Sequence, residues 1–330
     1  MLAFVLTLVI ALGAVTVFAA QDPSGPAEPA LLVGGLNGTT GMGSTIGPGQ
    51  TLYVTEAAAG KITQVDPQTG STTTFASSLP QGNPAIGIGG VMDVAFLDDT
   101  AYALVTLVGP DVGGSDVDGI YRVDSPSSYT VIADIGQFSM DNPPDTDYAV
   151  PTGVQYAMEA FRDGFLVTDG HHNRVLWVTL DGTVTELIAF GNIVPTGLDL
   201  HGNTIFMAEA GEVPHPPEQG KIQSFEFKSP YASATEVASG ARLMVDVEFN
   251  RGSTLFGLAQ GIFSGGGAGA PALPNTGKLV RVNEDGTVTP VAEGLDRPTS
   301  LEFINNTAYY VTLGGEVWMI EDVAGPPFGQ

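Results

Sequence analysis

The stretch Val150–Phe190 reads VPTGVQYAMEA, then FRDG, then FLVTDGHHN, then RVLWVTL, then DG, then TVTELIAF. It holds four short runs rich in β-branched and aromatic residues, separated by Gly, Asp and Asn turn signals. No single run of this length buries its apolar face alone. The same four-run paragraph recurs along the chain, and the recurrence predicts the fold.

Labelling the runs a to d, the first unit has a weak a near Gly43, then TLYVTEA, GKITQVD and STTTFASSL. The second has VMDVAF, TAYALVTL, GIYRVDS and YTVIADI, starting at Val91. Val150–Phe190 is the third. The fourth starts at Thr196 with TGLDLHG, the fifth at Met244 with MVDVEFN, and the sixth at Thr299 with TSLEFIN. The sixth unit stops after three runs. A leftover run, ALLVGGLNG from Ala30, matches the d runs VAEGLDR and VASGAR. Units of about 45 to 55 residues with four strands each predict an all-β, six-bladed β-propeller. Its last blade is expected to be closed by the N-terminal strand, which removes the open sheet edges. A β-sandwich would not repeat this regularly, and a β-helix repeat is shorter. The propeller is expected over 30–324 as a single domain, with 325–330 as a tail.

Composition agrees. The 330 residues include 44 Gly and 23 Pro, and only 14 % are charged, which suits short strands and tight turns. Cys is absent, which excludes a disulfide scaffold and a thiolate metal site. The net charge of −25 opposes nucleic acid and anionic lipid, and suits either plain solubility or the collection of cations such as calcium. Met1–Ala20 is apolar and uncharged and resembles a secretory signal peptide, with Val17 and Ala19 as the small residues before the cut. Gln21–Pro29 reads as a linker. A secreted or periplasmic protein is expected, without stable membrane embedding after cleavage. An uncleaved anchor is the alternative.

Loop lengths orient the function. The a–b and c–d links are short. The long links are Val108–Asp118, Gly211–Gly220 and Gly261–Thr276 (b–c), and Gly136–Val150 (d–a). In a propeller these two classes emerge on one face, and elaboration of one face of a rigid scaffold marks a binding face.

Candidate residues follow. Asp169, His171 and His172 stand together in DGHHNRV. They suit a metal site, or a structural turn in which Asp169 and Arg174 brace the blade. The a runs carry Asp93, Gln155, Asp199, Asp246 and Glu302, with Ser44 or Thr45 in the first. Facing the channel, these carboxylates would repel one another unless a cation such as Ca2+ neutralised them. Pointing sideways, they would bond to backbone between blades. The b runs end in Glu56, Asp169, Glu209 and Gln260, and the loop GEVPHPPEQG adds Glu212, His215 and Glu218. No G-x-S-x-G elbow, H-E-x-x-H or P-loop occurs.

At VPTGVQYAMEAFRDGFLVTDGHHNRVLWVTLDGTVTEL the chain resembles the ScyD/ScyE family, exported propellers named from the cyanobacterial scytonemin cluster. DGHHNRV is similar to the D-x-x-N-x-R-V turn of NHL-repeat propellers, with the Asn shifted by one place. The resemblance implies a secreted, six-bladed, NHL-like propeller, and supplies no agreed catalytic residues. Gluconolactonase/regucalcin-type propellers are more distant relatives by architecture. They set a Glu and an Asn/Asp group on a channel-mouth metal, a set that does not map residue by residue here.

Two functions are therefore expected. One is binding of a small molecule, glycan or extracellular protein at the channel mouth, with or without a divalent cation. The alternative is a metal-dependent hydrolase or lactonase using Asp169, His171, His172, Glu209 and the channel carboxylates. An oxidative tailoring role is a third. A converging His/carboxylate cluster would favour the enzyme, and an apolar mouth would favour binding.

Overall fold

The computed structural model describes residues 28–213, 219–227, 233–267 and 269–323. The expected signal segment, most of the linker, the tail, His215 and Glu218 lie outside the described residues. Strand β1 (Ala30–Val33) comes first in the chain and belongs to the last sheet. Blade 1 is β2 (Ser44–Gly47), β3 (Thr51–Glu56), β4 (Lys61–Val65) and β5 (Thr72–Ala76). Blade 2 is β6 (Gly90–Leu97), β7 (Thr100–Thr106), β8 (Gly119–Ser125) and β9 (Ser128–Asp134). A short helix α1 (Ile135–Asp141) follows it, where a plain loop was expected. The Asp134 side chain caps that helix by accepting the Gln137 amide at 2.7 Å.

Blade 3 is β10 (Gln155–Phe161), β11 (Gly164–Asp169), β12 (Arg174–Thr179) and β13 (Val184–Ala189). Blade 4 is β14 (Pro195–His201), β15 (Thr204–Glu209), β16 (Gly220–Glu226) and β17 (Thr235–Ala241). Blade 5 is β18 (Met244–Phe249), β19 (Leu255–Ala259), β20 (Gly277–Val282) and β21 (Val288–Leu295). Blade 6 is β22 (Pro298–Ile304), β23 (Thr307–Thr312) and β24 (Glu316–Ile320), completed by β1 in the order β1-β24-β23-β22.

The chain's beginning thus closes on its end. Leu31 pairs with Trp318 and Val33 with Val317, across a bulge that accommodates Leu32. Side chains reinforce the seam. Thr299 Oγ1 donates to the Met42 carbonyl at 2.6 Å, and the hydroxyls of Ser44 and Ser300 meet at 2.8 Å.

The core lies between blades. Ile120 and Leu104 of blade 2 pack against Phe165 and Leu176 of blade 3, all fully buried. Equivalent apolar layers join each neighbouring pair round the ring. Alternating side chains on each strand make this possible, because both faces of every sheet meet another sheet. Burying one Phe or Leu contributes about 1.5–3 kcal/mol, so the ring is held by its many sheet-to-sheet layers.

Candidate functional site

The innermost strands β6, β10, β14, β18 and β22 each carry a register shift near their start. There the strand turns its polar residues toward the axis or toward the next blade. Asp93 Oδ1 accepts the amide of Val94 at 2.9 Å, and Oδ2 that of Met158, one blade on, at 2.8 Å. Asp199 does the same with Leu200 and Phe249, at 2.5 and 2.6 Å. Asp246 does so with Val247 and Leu301, at 2.9 and 2.7 Å. Of the two arrangements open from sequence, these three aspartates adopt the sideways one and join blade to blade.

Gln155 is not their counterpart. Its Oε1 accepts from Thr106 at 2.7 Å, and its Nε2 donates to the Thr152 carbonyl at 3.0 Å. Glu302 does line the channel, and two carboxyls that the sequence reading passed over, Glu159 and Glu248, line it too. Glu248 lies two residues after Asp246, on the same side of β18, a period-2 relation that could have been read from the sequence.

The glutamates share one floor. Burial holds the carboxyls of Glu159, Glu248 and Glu302 well above the usual range, and the neighbouring charges of Asp93, Asp199 and Asp246 add to the effect. Asp246 is raised to about 7, chiefly by burial. Each is half-buried and lines the channel. The floor therefore favours the protonated form of these acids more than open water does, with Glu248 beside Asp199. Among the described residues, no group of three His, Asp or Glu side chains converges where an ion would be held. Of the residues expected to hold a channel cation, Asp93, Asp199 and Asp246 bond to backbone amides and Glu302 lines the channel.

Above the floor lies a cavity of about 380 Å³, on the face bearing the long loops. All six blades supply its wall, including Ser44, Met92, Tyr156, Thr196, Leu243 and Arg297. Pro271 and Ala270 of the Gly261–Thr276 loop reach over it. Gln260 holds that loop, its Oε1 accepting the Ala272 amide at 2.8 Å. Val194, Ala210, Leu243 and Ala272 make an apolar cluster at the rim, with Tyr156 and Phe263 against it. Ser44, Tyr156, Thr196, Ser300 and Arg297 are among the polar side chains that line it. Thr40 Oγ1 is shut away beside Gly82, where a Cβ would meet it, and has no hydrogen-bond partner. The Tyr156 hydroxyl lies 3.1 Å from His171 Nε2. Burial raises the Tyr156 pKa, so the phenol remains a proton donor.

The remaining sequence candidates divide. Asp169, His172 and Arg174 form a buried brace away from the axis. Arg174 donates to Asp169 Oδ2 at 3.0 Å, to Ser139 Oγ at 2.9 Å and to the Asn142 carbonyl at 2.8 Å. His172 Nε2 donates to the Val150 carbonyl at 2.9 Å, leaving Nδ1 facing Arg174 at 3.1 Å. Asp169 Oδ1 accepts the Val154 amide and the Gln155 side chain, both at 3.2 Å. Every polar atom in this turn is spoken for, as the bracing reading expects.

Glu56 is likewise engaged. Burial works to raise its carboxyl, but Lys61, Thr63 and the Asn37 amide outweigh it and hold the pKa low. Glu209 is buried, accepts from Gln223 at 2.7 Å, and is raised by burial. Glu212 is exposed on its loop. Of the ligand candidates, only His171 reaches the cavity, through Tyr156. Sequence spacing could not find Tyr156, Thr40 or Arg297, because they meet only once the ring closes.

No family model and no curated protein matches the chain. Its solved structural neighbours are propellers. A gluconolactonase from Xanthomonas campestris is 13 % identical, with a TM-score of 0.60, over 89 % of this chain and 89 % of that one. Regucalcin from Agrobacterium tumefaciens, a calcium-binding protein, is 12 % identical with a TM-score of 0.60, over 89 % and 94 %. The PQQ-bound aldose sugar dehydrogenase from Streptomyces coelicolor is 14 % identical with a TM-score of 0.59, over 90 % and 99 %. At these identities the likeness establishes the fold, a six-bladed propeller with gluconolactonase- and NHL-like neighbours. The finer ScyD/ScyE assignment remains a resemblance.

Proposed function

We propose that the axial cavity receives a small organic molecule, and that the protein is a hydrolase of the gluconolactonase-like kind, opening a lactone or similar cyclic ester with water. The observation that carries the reading is the cavity of about 380 Å³ at the mouth, walled by all six blades. Its size suits a ligand of monosaccharide scale, and its mixed wall suits an apolar body with a few fixed polar contacts. Tyr156 lines the cavity, and with His171 Nε2 donating to its hydroxyl the phenol keeps its own proton for a carbonyl oxygen as that oxygen gains charge. In that tautomer His171 orients the phenol. The gluconolactonase neighbours favour turnover over binding alone.

The metal-dependent form of this reading fits the channel poorly. Asp93, Asp199 and Asp246 are given to backbone amides, and among the described residues no three His, Asp or Glu side chains converge on one point. No step is therefore routed through a metal there. Binding without chemistry is the second reading, favoured by the apolar rim of Val194, Leu243 and Ala272. It keeps the same cavity and the same partner classes, a small molecule or glycan, with export outside the cell.

The test is a panel of lactones and esters, run in chelator, with calorimetry on the same compounds. Hydrolysis in chelator is expected, with kcat lowered about 100-fold in Tyr156→Phe and His171→Ala. Heat of binding without turnover of any compound would replace hydrolysis by binding alone. Neither heat nor turnover in any compound would remove the cavity as the site.

A further inference from the structure

The b–c loop of blade 2, VGPDVGGSDVD over 108–118, is long, acidic and away from the axis. Asp118 at its end is only 3 % exposed. Its Oδ1 accepts the Val108 amide at 2.8 Å. Its Oδ2 is buried with no hydrogen-bond partner. Thr152 lies beside it, from the segment that leads into β10 of the next blade. That hydroxyl has a single proton, and Asp111 Oδ2 takes it at 2.8 Å. One hydroxyl proton thus stands between two carboxylates, and with it on Asp111 the buried Asp118 Oδ2 has no partner.

Gly109 shows where the two carboxylates converge. A Cβ there would lie 3.1 Å from Asp111 Oδ1 and 3.2 Å from Asp118 Oδ2. Its backbone is ordinary, with φ −79° and ψ 175°, so conformation does not demand glycine. Space between the carboxylates does. A buried carboxylate oxygen without a partner is costly, and a like charge beside it adds to the cost.

We propose that Asp111, Asp118 and the Thr152 hydroxyl form a site for a hard divalent cation of the calcium class. The oxygen-only donors, the irregular loop and the open Asp111 side, through which water would complete the coordination, suit calcium better than magnesium. The ion would tie the blade 2 loop to the segment entering blade 3, stiffening one sector of the loop-bearing face. This site depends on neither reading of the axial cavity.

The test titrates CaCl2 into the full chain stripped with chelator, followed by calorimetry and by the thermal midpoint. One site is expected, with Kd between about 10 µM and 1 mM, in the range of sensor and extracellular calcium sites. Saturating calcium should raise the midpoint by several degrees. Asp118→Asn and Gly109→Ala should each weaken binding at least 10-fold and keep the calcium-free midpoint near that of the parent. Gly109→Ala retains both carboxylates, so its loss separates blocked space from lost charge. Glu302→Gln should leave the affinity unchanged. No heat and no shift in the parent protein would overturn the site in favour of a proton shared by Asp111 and Asp118. So would affinity that survives both loop variants, or that is lost in Glu302→Gln.

Discussion

The Asp246 carboxylate reaches out of its own blade to accept the Leu301 amide at 2.7 Å, while its other oxygen holds Val247 at 2.9 Å. One side chain thus satisfies two backbone amides on neighbouring inner strands. Asp93 and Asp199 repeat the relation with Met158 and Phe249. Asp246→Ala should therefore leave two amides unbonded beside the channel, at a cost of about 2–4 kcal/mol. The thermal midpoint should fall by about 3 to 6 °C. Asp246→Asn keeps one acceptor and should cost less. A neutral Asp246→Ala would refute the bracing role.

The channel acids set a pH dependence of known sign. Asp246, at about 7, and Glu159, Glu248 and Glu302, held well above their ordinary values, bind protons in the folded state that the unfolded chain has released. Their stabilisation is full below the unfolded values near 4 and is lost as pH rises through the folded ones. Glu56, Asp66 and Asp124 are lowered and act oppositely, losing their contribution as pH falls below about 4. Thermal midpoints should peak near about pH 5 and decline toward pH 8. Glu302→Gln should flatten that decline. A midpoint that climbs between pH 5 and 8 contradicts the protonated floor.

Arg174 is about 1 % exposed, and its partners are Asp169, Ser139, Asn142 and Glu186. Replacing it with Met leaves the buried Asp169 carboxylate facing His172 without the guanidinium, which should cost about 3–5 kcal/mol. The double variant Asp169→Asn/Arg174→Met should recover part of that loss in urea unfolding. Additive losses would show that the two side chains do not act as a pair.

Removing residues 1–29 should leave folding intact, since β1 begins at Ala30. Removing 1–35 takes away the partner of β24 and exposes its edge beside Trp318. Size-exclusion chromatography should then show oligomers or insoluble protein. A stable monomer from the shorter chain would mean that the seam contributes little.

Much of the fold was legible because strand signals are local. Period-2 runs such as TAYALVT, and turns such as Asp181-Gly182, need no distant partner to be read. The closing strand was legible too, because Ala30–Val33 echoes the fourth runs of other blades. The site was less so. The polar residues of the inner strands looked equivalent in sequence, but the register shifts at Val91/Asp93, Gln155/Met158 and Met244/Asp246 send them in different directions. Asp93 and Asp246 brace, Gln155 bonds to Thr106, and Glu159 and Glu248 form the floor.

The chain by itself determined the number of strands, their grouping in fours, the closed ring and the face that carries the long loops. These follow from side-chain alternation and turn chemistry within a few residues. Only the tertiary structure decided which carboxylates bond to backbone, which are pushed up by burial, and that Tyr156 and His171 meet beside one cavity. Those outcomes depend on bulges and on contacts between blades tens of residues apart, where burial and neighbouring charge, not residue type, set the chemistry.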